Sequence, residues 1–205
     1  EAVIVKVLVI GATGFIGKSA VKELEKEEGM EIITASRSNS DYEVDIASPD
    51  SIKKLYEDVG KVDAVVCAAG GATFAGVQDL TLEENQVAVD SKLLGQINLV
   101  LLGQEYVKDG GSFTLVTGVL MDDPLEKAAS AAMANGGVRA FVKTAAIELP
   151  RGLRINNVSP TMIIEAKEKY GPLFKGFKPR EGRDVGLAFV KSVLGKQTGQ
   201  TYEVY

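Results

Sequence analysis

The stretch VIVKVLVIGATGFIG, residues 3–17, joins an apolar, largely β-branched run to a segment with a glycine at every third position. An uninterrupted apolar run of this length is typical of a strand in a parallel sheet that is covered on both faces. Gly11, Gly14 and Gly17 follow at once, and residues 18–29 then show helical spacing. The stretch therefore predicts a buried strand, a tight turn and a helix, in that order.

The same alternation of strand and helix continues along the chain. Further strands are predicted at residues 30–37, 42–46, 61–71, 112–118, 153–160 and 199–205, and helices at residues 48–60, 81–111, 129–149 and 182–195. Such alternation implies right-handed crossovers and a mostly parallel sheet with helices on both faces. We predict an α/β single-domain Rossmann fold over residues 1–205, with a doubly wound sheet of about seven parallel strands. The charged cluster KELEKEE, residues 22–28, is predicted to be a solvent-exposed helix face.

Composition excludes several classes of function. The 205 residues carry a net charge of −5 without a basic run, which argues against nucleic acid and anionic membranes as partners. Histidine is absent, so Ser-His-Asp and Cys-His catalysis are excluded and no metal is expected. Cys67 is the only cysteine, which favours a reducing compartment, and we expect a cytoplasmic protein. Neither a membrane-spanning run nor a signal peptide is visible.

The glycine turn is a candidate phosphate site. Glycines between a strand and a helix let backbone N–H groups approach a pyrophosphate, and the helix N-terminus adds partial positive charge. A tight turn without a ligand is the alternative. At the first strand–helix turn of a doubly wound pattern we favour dinucleotide binding, by the residues Gly11, Thr13, Gly14, Phe15, Ile16 and Gly17.

The end of the second strand distinguishes the two nicotinamide dinucleotides. An acidic residue about 20 positions beyond the glycines would bind the ribose 2′-hydroxyl of NAD. The sequence here is Ser36-Arg37-Ser38, and a guanidinium suits a phosphate group. We therefore expect NADP, with NAD as the alternative cofactor and an exposed loop arginine as the alternative reading of Arg37.

Taken in order, four segments resemble the short-chain dehydrogenase/reductase family over nearly the whole chain: GATGFIG (11–17), Asp45-Ile46, CAAG (67–70) and RINNVSPT (154–161). The resemblance implies that Asp45 and Ile46 contact adenine. It also implies that Pro160 and Thr161 lie beside the nicotinamide, with Thr161 in place of the family's glycine. CAAG is similar to the family's Asn-Asn-Ala-Gly segment but has lost both asparagines, which leaves Ala68, Ala69 and Gly70.

The catalytic residues of the family do not carry over. The family has a serine at the end of the fifth strand and Tyr-x-x-x-Lys on the next helix. Counting from AIEL (146–149) and from GGSFTLVTG (110–118) places these three positions at Gly118, Ala131 and Asn135. A fourth family residue, an asparagine, falls on Lys92. One interpretation is that the two positions have exchanged residue types relative to the family, so that Lys92 supplies the ammonium and Asn135 the amide. The other interpretation is coincidence.

The remaining candidates for chemistry are few. Tyr170 lies in a segment that folds over the substrate in the family, and the alternative is a tyrosine that only packs the lid. Thr117 and Ser130 are the hydroxyls nearest to the lost serine and tyrosine. Asp122 and Asp123 are expected to border the same pocket, and the alternative, which we favour, is that they are solvated loop carboxylates. We take Lys92, Thr117, Asn135 and Tyr170 as the catalytic candidates. The expected apolar lining is Phe74, Val119, Leu120, Met121, Leu173, Phe174 and Phe177.

Two functions follow from these expectations. The first is an NADP(H)-dependent oxidoreductase that acts on a small carbonyl or alcohol substrate through a non-standard site. The second is an NADP(H)-sensing binding protein without turnover. The family resemblance and the apolar residues of the two long helices also lead us to expect a homodimer or homotetramer.

Overall fold

Parallel strands organise the chain. The computed structural model describes residues 3–205, and its strands are β1 (Val5–Ile10), β2 (Met30–Ser36), β3 (Tyr42–Glu43), β4 (Val62–Cys67), β5 (Val107–Val116), β6 (Arg154–Pro160) and β7 (Thr201–Val204). They form one sheet in the order β3-β2-β1-β4-β5-β6-β7, and every neighbouring pair is parallel. The predicted doubly wound sheet of about seven strands is confirmed.

Helices connect the strands. They are α1 (Phe15–Glu25), α2 (Pro49–Val59), α3 (Leu82–Ala88), α4 (Leu94–Gly103), α5 (Ala129–Glu148), α6 (Lys167–Tyr170) and α7 (Gly182–Leu194). A π-helical turn, Val89–Leu93, joins α3 to α4, and a 3₁₀ turn, Gln104–Tyr106, follows α4. Among residues 3–205, no helix is both long and apolar enough to cross a membrane.

Two hydrophobic clusters cover the two faces of the sheet. On one face, α2, α4 and α5 contribute buried side chains such as Ile52, Leu99 and Val142. On the other face, α1 and α7 contribute side chains such as Leu24 and Phe189. Because all strands are parallel, their carboxyl ends meet at one edge of the sheet, where ligands bind in folds of this kind.

The predicted helix at residues 81–111 was wrong at its end. The helical segment ends at Tyr106, and Val107, predicted as helix, begins β5. Val107 is fully buried and pairs with Val62 of β4, so burial of a β-branched side chain against the sheet outweighs helical continuation. The first strand begins at Val5 and the third is reduced to Tyr42–Glu43.

The charged cluster at residues 22–28 was predicted to be a solvent-exposed helix face, but one of its side chains is buried. Glu23 is only 4% exposed, and its carboxylate lies 2.8 Å from the ammonium of Lys26. A Cβ atom on Gly186 of α7 would lie 2.5 Å from Cγ of Glu23. The close crossing of α7 over α1 therefore buries this carboxylate, which helical periodicity alone could not indicate.

Candidate active site

The predicted phosphate turn has the geometry that close backbone approach requires. Gly11 has φ +81°, and a Cβ atom there would lie 2.8 Å from the carbonyl carbon of Ala68. A Cβ atom on Gly17 would overlap the carbonyl oxygen of Gly11. Gly14 is the N-cap of α1 and provides no side-chain cap, so the first turn of this helix can offer N–H groups to an anion. The residues at this turn fit a pyrophosphate.

The end of β2 presents an unpaired guanidinium. Arg37 is exposed, and no carboxylate among residues 3–205 lies within ion-pair distance of it. The Ser36 hydroxyl is buried beneath it and contacts the Ser38 carbonyl oxygen and the Ser40 hydroxyl. Since Ala35 of β2 pairs with Ile10 of β1, Arg37 and the glycine turn lie at the same edge of the sheet.

Asp45 and Ile46 follow β3 at the same edge. The Asp45 carboxylate accepts a hydrogen bond of 3.0 Å from the Ala47 N–H, and the Asp45 N–H donates one to the Ser51 hydroxyl. Ile46 is buried against α4, where a Cβ atom on Gly95 would lie 2.9 Å from Cγ1 of Ile46. Both residues therefore occupy a fixed loop at the edge of the sheet that carries the glycine turn, and their contact with adenine stays a prediction.

A cavity of about 280 Å³ lies where the carboxyl ends of the central strands meet α1, α5 and α6. It brings together all four catalytic candidates and five of the predicted cofactor residues. It is lined by Phe15, Ile16, Gly70, Ala72, Phe74, Lys92, Thr117, Gly118, Val119, Leu120, Ala131, Asn135, Pro160, Thr161, Met162, Ile163, Ala166, Tyr170 and Phe174. We call this the active-site cavity.

Lys92 enters the active-site cavity from the π-helical turn. Such turns are rare and often mark functional sites. Burial lowers the pKa of the Lys92 ammonium from its ordinary value, a shift that the neighbouring Cys67 only partly opposes. Within the described part of the chain, no carboxylate lies within ion-pair distance of Lys92. Burial also raises the pKa of the Cys67 thiol to about 11, so this cysteine is a buried, inert group.

Asn135 carries a buried acceptor without a partner. The side chain is 3% exposed, and its Oδ1 makes no hydrogen bond to any residue in the 3–205 range. A buried polar atom of this kind costs free energy unless a ligand or water satisfies it. A Cβ atom on Gly118 would lie 3.2 Å from the Asn135 Nδ2, so the absent side chain at position 118 gives the amide its room. Ala131, one turn earlier on α5, contributes only a methyl group to the wall of the active-site cavity.

The two hydroxyl groups that the sequence places nearest to the lost serine and tyrosine, those of Thr117 and Ser130, are already engaged. Thr117 donates a hydrogen bond of 2.7 Å to Oδ1 of Asn157, although its side chain lines the active-site cavity. Ser130 donates one of 2.8 Å to Oδ1 of Asn85. Neither hydroxyl therefore directs its proton to the cavity.

Tyr170 closes the cavity from α6. Its ring contacts that of Phe15 edge to face, with 6.3 Å between the ring centroids. The Lys169 ammonium lies 5.2 Å from the same ring. Tyr170 therefore links the segment after β6 to the first turn of α1, over the predicted nicotinamide position.

Some predicted residues lie elsewhere. Asp122 and Asp123 do not line the active-site cavity, and Asp122 accepts hydrogen bonds of 2.7 Å from Arg139 and from the Tyr205 hydroxyl. The hydrogen bond from Tyr205, then that from Arg139, lowers the pKa of Asp122. Among the expected apolar residues, Met121, Leu173 and Phe177 are also outside this cavity.

Sequence reasoning missed four residues of the lining. They are Ala72, Met162, Ile163 and Ala166. Three of them follow Thr161 closely along the chain, and their proximity to the predicted nicotinamide segment was the available signal. Small and apolar side chains carry no chemical pattern of their own, so no sequence motif indicates them.

Comparison with known proteins gives concordant matches. The family model described as Enoyl-(Acyl carrier protein) reductase matches residues 11–180. The crystal structure of the protein lin1944 from Listeria innocua is 55% identical, covers 98% of this chain and 100% of its own, and superposes with a TM-score of 0.96. A small-chain dehydrogenase solved in complex with NADPH is 26% identical, with coverage of 98% and 96% and a TM-score of 0.86. An uncharacterized oxidoreductase of Methylorubrum extorquens is 24% identical over 77% of this chain and 72% of its own.

Proposed function

The chain belongs to the short-chain dehydrogenase/reductase family, and from this premise we propose that it is an NADP(H)-dependent oxidoreductase. Its substrate is a small, mostly apolar carbonyl compound or the corresponding alcohol, and its proton-transfer group is centred on Lys92. The observation that carries the proposal is the meeting of Lys92 and Asn135 in one apolar cavity beside Gly70 and Pro160.

Three features support NADP(H) as the cofactor. The glycine turn and the uncapped first turn of α1 would hold the pyrophosphate, and the unpaired Arg37 would bind the 2′-phosphate. Asp45 and Ile46 would border adenine, Ala68 to Gly70 the adjoining ribose, and Pro160 and Thr161 the nicotinamide. The bound NADPH of a 26% identical relative supports the same choice. When bound, the nicotinamide would supply or accept the hydride.

Reduction of a carbonyl then requires one proton at its oxygen. The Lys92 ammonium would donate it and become a neutral amine, and in the reverse direction that amine would accept the proton of the alcohol. The lowered pKa of Lys92 favours both steps, because less free energy separates its two protonation states near neutral pH. Tyr170, which lines the same cavity, or a bound water would complete the proton transfer.

Asn135 would bind the cofactor rather than transfer a proton. Its unpartnered Oδ1 can accept a hydrogen bond from a ribose hydroxyl, which would satisfy the buried atom and orient the ring. Thr117 can only accept a hydrogen bond from a ligand, since its own proton is donated to Asn157. In this cavity an amide from α5 and an ammonium from the π-helical turn would take the place of the family's serine, tyrosine and lysine.

An NADP(H)-sensing binding protein is the second candidate. It is favoured by Gly118 and Ala131, which line the active-site cavity where the family has a serine and a tyrosine. Such a protein would bind NADPH in the same turn and leave it unoxidised.

One assay tests both candidates. NADPH binding is measured by fluorescence, and NADPH oxidation is measured with a broad panel of aldehydes and ketones. Oxidation above the blank with an apolar carbonyl supports the oxidoreductase. Tight binding with no oxidation in any case supports the sensor, and absence of NADPH binding would contradict both.

We also propose a cytoplasmic homodimer or homotetramer. Exposed apolar side chains lie on the helices next to the site: Leu82 is 93% exposed, Leu101 56% and Ile147 85%. A second copy of the chain would remove these groups from water. Sedimentation at micromolar protein concentration tests the assembly, and a single monomeric species would contradict it.

A further inference from the structure

A second cavity adjoins the active-site cavity. It has a volume of about 610 Å³ and is lined by Met162, Lys167, Glu168, Gly171, Pro172, Phe174, Phe177 and Pro179. Met162 and Phe174 line both cavities, so the two meet at these side chains. We call the second one the outer cavity.

The volumes indicate that any long substrate tail would extend beyond the active-site cavity. That cavity, at about 280 Å³, is below the range of about 300–1,000 Å³ usual for ligand pockets, and it must also admit the nicotinamide. The boundary between the two cavities consists of a thioether and a phenyl ring. Methionine is unbranched and adapts its shape readily, so an apolar chain can pass beside Met162.

The walls of the outer cavity suit an apolar chain. Phe174 and Phe177 pack edge to face with 5.3 Å between their ring centroids, and Pro172 and Pro179 extend the same surface. These rings remain half-buried in the described chain, so part of their apolar area is left for a ligand to cover.

The chain segment that contributes most of the outer cavity's lining is positively charged, in contrast to the molecule as a whole. Residues 167–178 contain four lysines and one glutamate, whereas the whole chain has a net charge of −5. Lys167 and Glu168 line the cavity, and Lys175 and Lys178 flank its aromatic wall in sequence. In the part of the chain that the structure describes, none of these lysines is within ion-pair distance of a carboxylate. Their charges are therefore free to attract an anion.

We propose that the outer cavity is a subsite for the tail of an amphiphilic substrate, which has an apolar chain and an anionic end. The reactive carbonyl lies by Lys92, the chain passes Met162 and Phe174, and the carboxylate or phosphate at the far end meets the lysines of residues 167–178. This inference rests on the proposed function for the position of the carbonyl, but the subsite itself is defined by binding.

The test measures binding to the NADP⁺-loaded protein by calorimetry. Hexanoate, octanoate and decanoate are compared with the alcohols of the same chain lengths, and octyl phosphate is compared with octanoate to distinguish the two kinds of anion. We expect affinity to increase with chain length, and the anions to bind at least about fivefold more tightly than the alcohols at low salt. The triple variant Lys167→Gln/Lys175→Gln/Lys178→Gln should remove the preference for anions and leave the affinity for the alcohols unchanged.

Lys196→Gln provides the matched control, because Lys196 is an exposed lysine at the distant end of α7 that makes no ion pair in the described chain. Equal binding of anions and alcohols, or a preference that survives the triple substitution, would overturn the subsite. Turnover of neutral carbonyl compounds under those same conditions would leave the proposed function standing. Anion selectivity without any turnover would instead retain the subsite and contradict the oxidoreductase.

Discussion

Gly70 lies directly against Lys92, and a Cβ atom on Gly70 would be 2.9 Å from the Cα atom of Lys92. Gly70 has φ +141°, a conformation that side chains rarely permit. The end of β4 therefore reaches the π-helical turn through backbone alone. This contact places the Lys92 side chain at the cavity, and it explains why the last residue of CAAG is a glycine.

Gly70→Ala should consequently impair the site as well as the fold. The added Cβ atom strains the backbone at about 1–3 kcal/mol and displaces the turn that carries Lys92. We expect a lower midpoint of thermal unfolding and a loss of at least about tenfold in kcat/KM. Gly71→Ala is the matched control, because its Cβ atom would meet the Ser91 hydroxyl at an ordinary 3.8 Å. Equal effects of the two substitutions would show that the Gly70 contact does not position Lys92.

Substitution of Lys92 tests its role as the acid. Lys92→Gln should lower kcat for carbonyl reduction at least about tenfold and leave the NADPH dissociation constant within about twofold. An unchanged kcat would identify Lys92 as a bystander. Lys92→Arg separates charge from proton transfer, since a guanidinium keeps the positive charge but does not release its proton.

The lowered pKa of Lys92 gives that role a pH signature. Reduction needs the ammonium form, so kcat should fall as pH rises through the pKa of Lys92. Because burial lowers this pKa, the fall should come below the 10.5 of an ordinary lysine. The fall of kcat at high pH should be absent from the residual activity of Lys92→Gln. If this fall persists in the variant, it belongs to the titration of another group.

The agreement between sequence and structure is greatest where local pattern and strand direction suffice. Apolar β-branched runs and the spacing of Gly11, Gly14 and Gly17 predicted the sheet and its first turn. The convergence of the catalytic candidates on one cavity also agrees with the sequence, because parallel strands end at one edge. Fold and general location of the site are thus encoded within short segments and their order.

The details that long-range contacts determine were not predictable. The π-helical turn at Val89–Leu93 packs against Gly70, about twenty positions earlier along the chain, and helical periodicity carries no sign of this turn. The sequence indicates Thr117 as a hydroxyl near the lost serine, but not that its proton is donated to Asn157 on the neighbouring strand. The start of β5 at Val107 likewise depends on pairing with Val62.

Arg37→Ala tests the choice of cofactor. If the guanidinium binds the 2′-phosphate, the substitution should weaken NADPH binding at least about tenfold and leave NADH binding nearly unchanged. The preference of the wild type for NADPH should also decrease with salt, since Arg37 is exposed. Fluorescence titration of both dinucleotides provides the measurement, and equal affinities of the wild type for them would refute the assignment.

The two adjacent glycines of α5 should respond differently to alanine. A Cβ atom on Gly136 meets nothing within 4 Å, whereas one on Gly137 would lie 2.6 Å from Cδ1 of Leu93. Gly136→Ala should stabilise the isolated chain by about 1 kcal/mol through helix propensity, and Gly137→Ala should gain less and disturb the turn next to Lys92. Denaturant unfolding and kcat of both variants check this, and the reverse order would show that Leu93 moves away without cost.

The last prediction concerns the empty positions of the family's catalytic residues. Ala131 and Asn135 both line the active-site cavity, so a tyrosine and a lysine placed there would face the same space. Asn135→Lys alone would set a second ammonium near Lys92, and like charges in a partly buried site repel. Among the variants with a lysine at position 135, we therefore expect activity only from the triple variant Lys92→Asn/Ala131→Tyr/Asn135→Lys. This variant also places an amide at position 92, where the family has its asparagine. In an inert wild type, NADPH oxidation by this variant and none by Ala131→Tyr/Asn135→Lys would identify a reductase scaffold whose acid had been removed. In an active wild type, the triple variant should retain turnover and shift the basic limb of its pH profile. Loss of NADPH binding in a variant that unfolds at the wild-type temperature would show that positions 131 and 135 do not face the nicotinamide.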